Sequence, residues 1–355
     1  MFLALRDLRF ARGRFALMGA VIGLLSMLIV LLSGLTSGLS HQSVSAITSL
    51  PADHIAFSEP AGGQDASYSD SHVTAKQQRT WSTQPGVDGV ATLGIMPSQV
   101  KVGHSQTAVT MFASAPGSMV SPPGVSQTDV VISRDLADAQ SLHEGDRLSL
   151  GGTTYDVGGV RGDSYFNHTP VVWVSLHQLQ GMQDSARPLS TVLAIRAGDD
   201  ADLAAADAAA GTHTASRDDS LSAVGSYTAE NGSLTLMRVL LLVVGALVVG
   251  AFFTVWTIQR MPDLAVLKAI GASGGYLVRD ALAQALVVLA VGGILGAAVA
   301  AGIGVLAAGV VPFVVSAATV VVPLVAIVVL GMAGAVTAVR RVTTVDPLTA
   351  LGAAR

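Results

Sequence analysis

Apolar and polar residues fall into long separate blocks along this chain. From Ala281 to Val339 there is no Asp, Glu, Lys or Arg in 59 residues. That stretch is too long and too apolar for one core helix, and it suffices for two membrane spans of about 20 residues each with a short turn between them. Two further apolar blocks, near 15–39 and 233–258, raise the number of predicted spans to four. Between these two lies a long polar segment rich in Gly, Ser and Thr. The pattern predicts an α-helical membrane protein with four transmembrane helices and an α/β domain inserted between helices 1 and 2.

Within the polar segment the clearest run predicts a strand over Val130–Ser133, a helix over Arg134–Leu142 and a strand over Asp146–Leu150. A turn at Gly151-Gly152 and strands over Thr153–Val160 and Pro170–Val174 follow, together forming a small antiparallel unit. Ala61–Ser71 reads as a mobile loop and Ala201–Ala210 as an alanine-rich helix. In the spans, the small-xxx-small steps Gly19/Gly23, Gly34/Gly38 and Gly292/Gly296/Ala300/Gly304 mark faces for close helix packing. Pro312 and Pro323 flank the predicted turn between spans three and four.

Composition agrees with helical spans: 51% of residues are hydrophobic, 5% aromatic and 12% charged. The absence of cysteine removes disulfides, thiolate metal sites and thiol nucleophiles. Basic residues decide the orientation. Arg6, Arg9, Arg12, Arg14, Arg260, Lys268, Arg279, Arg340, Arg341 and Arg355 lie near the membrane on one side, against Asp7, Asp263, Asp280 and Asp346. By the positive-inside rule that side is cytoplasmic, which puts both termini of this plasma-membrane protein in the cytoplasm and makes the large domain extracellular. The N-terminal apolar run is longer than a signal h-region and reads as a retained span.

The resulting division is a cytoplasmic interfacial helix at 1–14, spans at 15–40, 230–259, 280–310 and 317–340, an extracellular domain at 41–229, a cytoplasmic loop at 260–279 and a tail at 341–355.

None of the three lysines, Lys76, Lys101 and Lys268, follows a glycine, so no phosphate-binding G-x-x-x-x-G-K-[ST] loop exists. This polypeptide is not expected to hydrolyse ATP, and it has neither a G-x-S-x-G elbow nor an H-E-x-x-H motif. The reading is a non-catalytic subunit with no intrinsic cofactor and no nucleic-acid partner. Eight histidines, His41, His54, His72, His104, His143, His168, His177 and His213, are scattered through the polar segment and read as solvated.

The loop after the second span is more telling. Pro262-Asp263-Leu264 opens a short amphipathic helix that continues through Leu267, Lys268 and Ile270 and stops at Gly271. A short helix exposing Leu264, Leu267 and Ile270 needs a partner surface or lipid to cover them. This segment, with its Leu-Lys-Ala-Ile-Gly-Ala-Ser run at 267–273 and the terminal Val345-Asp346-Pro347-Leu348, resembles the FtsX/MacB-like permeases of ABC transporters. Within that family the chain is similar to HrtB-type haem-export permeases of Gram-positive bacteria. The similarity runs through Leu32–Leu39, Tyr227–Glu230, Ala251–Gln259 and Ser133–Arg147.

The resemblance implies a homodimer in the lipid bilayer flanked by two copies of a separate ATP-binding cassette subunit, which would hold ATP and Mg. The helix Asp263–Ile270 would be the coupling helix on that subunit, and haem would be the transported substrate. Glu230 and Asn231 stand just before the second span, and Tyr227 lies one turn earlier. A carboxylate or phenolate oxygen suits ferric haem iron, so Glu230 or Tyr227 is the expected ligand. An acid there is equally what a helix N-terminus favours, and a tyrosine what a membrane interface favours. Met27 and Met237 are candidates for a soft ligand or for packing. Arg238 is a candidate for a propionate or for snorkelling to headgroups, and His41 is a further candidate. Two other readings of the same architecture are an FtsX-like mechanotransmission permease regulating an extracellular partner and an exporter of lipoproteins or peptides.

Overall fold

The computed structural model describes residues 12–60, 62, 64–181, 190–261, 266, 270–307 and 310–343. The chain divides into two compact units, a polar one over Leu39–Asn231 and an apolar one made of Met1–Gly38 with Gly232–Arg355.

The first helix, α1 (Arg12–Thr48), has 37 residues, about 55 Å at 1.5 Å per residue, and from Leu39 onward it belongs to the polar unit. After it come β1 (His54–Ser58), α2 (Ala75–Ser82), β2 (Val87–Val102), β3 (Ser105–Ser114), β4 (Asp129–Ile132), α3 (Arg134–Gln140), β5 (Arg147–Leu150) and β6 (Thr153–Val160). The unit continues with β7 (Tyr165–Phe166), β8 (Thr169–Ser175), α4 (Leu176–Gly181), β9 (Ser190–Ala197), α5 (Leu203–Ala210) and β10 (Thr212–Ser216).

The strands form one mixed sheet in the order β10-β1-β9-β2-β3-β8-β4-β6-β5, with β5 also pairing β2 and β7 pairing β8. The β2–β5 pairing closes β2, β3, β8, β4, β6 and β5 into a circuit around a core that contains Met111, Ile132, Leu150 and Val172. The expected small antiparallel unit is therefore corrected: β5–β6 and β4–β8 are antiparallel, but β4–β6 and β3–β8 run parallel. Parallel neighbours require crossovers, and α3 and the β5 hairpin supply the one between β4 and β6. Pro97 is tolerated inside β2 because β9 pairing stops at Ile95 and β5 pairing begins at Val100, leaving β3 as the neighbour there.

The segment at 64–71, expected to be a mobile loop, is pinned. Tyr68 is 2% exposed in the larger core, stacks edge-on against Phe57 and Phe166, and shares a 2.9 Å hydrogen bond with Ser220. Burial pushes its hydroxyl pKa well above the usual tyrosine value, so the group stays neutral.

The apolar unit holds the first part of α1, most of α6 (Gly225–Gln259), α7 (Gly274–Ala307) and α8 (Ala317–Thr343). Each has the length and composition to cross a membrane. The glycine steps work as expected where helix meets helix. A Cβ on Gly292 would stand 2.8 Å from Gly19 O, one on Gly23 would lie 3.3 Å from Gly292 O, and Ser26 Oγ donates to Gly293 O at 2.9 Å. Gly34 and Gly38 differ: they receive Pro312 and Phe313 of the α7–α8 connection, and Val314 N–H donates to Gly34 O at 3.1 Å. Pro323 is not in the connection. It lies inside α8, in the second turn, where its missing N–H removes the helical bond to Thr319 O.

Candidate functional site

Glu230 sits in the second turn of α6, within the polar unit. His168 Nε2 approaches its Oε1 at 2.9 Å, with side chains 31% and 38% exposed respectively. The same nitrogen lies 3.3 Å from Ser43 Oγ, and Ser43 spends its own proton on Leu39 O at 2.9 Å. An ionised carboxylate only accepts, so Nε2 carries the hydrogen and serves both oxygens.

Local chemistry explains how histidine reaches this point. Asn167 and His168 have φ of 50° and 64°, the left-handed pair that a two-residue hairpin between β7 and β8 demands. That hairpin is stapled to the outer turns of α1: Asn167 N–H donates to Ser43 O and His168 N–H to Gln42 O, both at 2.9 Å. Tyr165 N–H donates to Ser45 Oγ at 2.8 Å. Tyr165 also donates its hydroxyl to Asp135, and its ring lies beside His41 with centroids 6.2 Å apart. Burial, and then the Asp135 carboxylate, raise the Tyr165 pKa, which keeps the phenol protonated as that donor.

The expected site residues are distributed as follows. Tyr227 packs against the larger core of the polar unit, so it and Glu230 have different surroundings despite the one-turn spacing. His41 is exposed, and Asn231 is half-buried at the unit's last position. Met27, Met237 and Arg238 belong to the apolar unit. Met27 packs beside Val30, Ala297 and Ala300, Met237 is 48% exposed, and Arg238 is half-buried.

His168 was missed by sequence reasoning and read as solvated. Its one sequence signal is the Asn-His pair between Tyr165-Phe166 and Thr169, a hairpin turn. Its partner, 62 positions away, carries no local signal.

Of the coupling segment, Pro262, Asp263, Leu264, Leu267 and Lys268 lie outside the described residues, as do 1–11 of the interfacial helix and 344–355 of the tail. Ile270 is 79% exposed, its N–H donates to Val266 O at 3.1 Å, and Gly271 follows at φ 107°, a helix end followed by a glycine only that residue tolerates well. Among the described residues no three His, Asp or Glu side chains converge as a metal site.

One membrane-crossing helix, a large polar α/β unit, then three more such helices define a membrane permease with an external domain. Residues 15–212 match the model of the MacB-like periplasmic core domain, and residues 235–347 that of the FtsX-like permease C-terminal region. The chain belongs to the MacB/FtsX-like permeases of ABC transporters, and the polar unit is its large extracellular domain.

A putative hemin transport system permease protein HrtB of Staphylococcus haemolyticus is 26% identical over 360 residues, covering 99% of both chains. The protein of the same name from Staphylococcus epidermidis is 22% identical over 358 residues, again 99% of both. An uncharacterized ABC transporter permease of Mycobacterium tuberculosis is 28% identical over 364 residues, with the same coverage.

Proposed function

We propose that this permease is the membrane subunit of an ABC-type pump that expels haem from the bilayer, driven by a separate ATP-binding cassette subunit that holds ATP and Mg. The observation that carries the reading is the Glu230 carboxylate, held by His168 at the start of the helix leading into the second span. A hard oxygen ligand suits ferric iron, and an apolar ring beside it suits lipid. Ferric haem supplies both. Names given to two relatives over their full length support the same cargo.

In this reading Glu230 is the iron ligand, because Tyr227 is engaged in the domain core. His168 holds the carboxylate in place as iron binds. Arg238 and Met237, adjacent residues about two turns further along the same helix, are the candidates for the propionates and the ring edge. Among the four membrane helices, α6 is the least covered by its own chain, with 11% of its most apolar window buried against 39% in α7. In the proposed pump this surface meets a second copy of the chain, two ATPase subunits complete the assembly, and both termini lie in the cytoplasm.

Haemin titrated into the complex reconstituted in nanodiscs is expected to give a saturable Soret shift and to stimulate ATP hydrolysis. If neither occurs while the complex assembles and hydrolyses ATP, the mechanotransmission or lipoprotein and peptide export readings replace this one. A second expectation concerns the coupling segment: Leu267→Asp places a charge on its apolar face and is expected to abolish co-purification of the ATPase. Full retention of the partner would remove the coupling assignment.

A further inference from the structure

At the cytoplasm-facing end of the apolar unit a polar relay joins the second and third membrane helices. Arg260 caps α6, its N–H donating to Trp256 O and Thr257 O at 3.2 Å, where the helix dipole favours a cation. Its guanidinium lies over the Trp256 ring, 5.4 Å from the centroid, and Trp256 in turn stacks edge-on against Phe15 of α1 at 4.5 Å. From there Arg260 Nη1 donates to Gln284 Oε1 at 2.9 Å, and Gln284 Nε2 donates to Asp280 Oδ2 at 2.9 Å. Gln284 is 0% exposed.

A fully buried amide that accepts from a cation and donates to an anion makes two charge-assisted bonds, each stronger than a neutral one. Burial of the amide leaves no water to replace either bond. The relay closes the base of the connection between α6 and α7, the connection that carries the proposed coupling helix.

We infer that Arg260 and Gln284 form a clamp that makes the inner ends of the second and third spans move as one body when the ATPase pushes on residues 261–273. Without it a push on the connection would splay the two helices and be lost. With it the displacement passes to both helices, and through Trp256 and Phe15 to the first. Gln284 and Arg260 are positioning residues in this account. The inference rests on the coupling role proposed above and is independent of the cargo.

The absence of cysteine makes the test direct. Spin labels at Ile258 and Leu286, both exposed on their helices, are introduced into the full chain and diluted with unlabelled chain. In the native background the distance distribution is expected to be narrow and to stay within about 2 Å between nucleotide-free and ATP-trapped complexes, as for elements packed as one body. Gln284→Leu, which removes the amide and leaves an apolar side chain of similar volume, is expected to broaden the distribution at least twofold in the chain alone. Arg260→Met, which retains a stem over Trp256, is expected to do the same.

An unchanged width in both variants overturns the clamp, whatever the ATPase or haem does. A native distance that shifts by more than about 5 Å on ATP trapping also overturns it, since the two helices then move separately. A clamp intact in the chain alone, beside Leu267→Asp leaving ATPase binding untouched, would instead place the failure in the coupling reading.

Discussion

Gly296→Leu is expected to separate the first and third membrane helices and to destabilise the protein by roughly 3 kcal/mol, the upper end of overpacking. A Cβ at this position would fall inside the contact radius of Gly23 O, with the Gly23 Cα 2.9 Å away, so the obstacle is backbone and cannot rotate aside. Helices in lipid gain no hydrophobic driving force from meeting each other, and their association depends on such close approach. The check is thermal unfolding of the detergent-purified chain beside Gly302→Leu. Gly302 lies on the same helix with nothing within 4 Å of its missing Cβ, and its substitution is expected to be neutral or mildly stabilising. Equal melting of the two variants would refute the packing account.

Glu230→Ala is expected to eliminate the haemin Soret shift, because it removes the anionic oxygen assigned to the iron. Glu230→Gln is expected to do nearly the same, since a neutral amide oxygen is a poorer ligand for ferric iron. His168→Ala should behave differently. It removes the hydrogen bond that holds Oε1 but leaves the carboxylate, so Kd is expected to rise about tenfold, the equivalent of one hydrogen bond to a charged group, with the Soret maximum unmoved. A moved maximum in His168→Ala would make the imidazole itself a ligand. Titration unchanged in all three would remove the site and leave the permease class intact.

Parts of the extracellular domain were readable and others were not. Thr153–Val160 alternates buried and half-buried positions from Tyr155 onward, and the period-two pattern is visible in the residues. β2 carries Gly89, Gly94 and Pro97 and changes neighbours along its 16 residues, so no single face repeats in its sequence. β9 is buried on both faces through Val192–Ile195, and an apolar run of that length has no period to read. The segment around Tyr68 has the composition of a loop. One aromatic ring and one hydroxyl partner, Ser220, anchor it. Glu230 stood out because a carboxylate beside an apolar block is expensive. His168 did not, because its role depends on a hairpin stapled to α1.

What the linear chain determined was the membrane architecture and the class of the protein. Uncharged runs of span length, the asymmetry of arginines and the lack of a phosphate-binding loop are local or additive properties, and folding cannot change them. Only the tertiary structure decided which glycines meet backbone and which receive Phe313, which strands run parallel, and that Glu230 has an imidazole for a partner. Those outcomes depend on pairs of residues tens to hundreds of positions apart, brought within contact by packing that has no period or motif along the sequence.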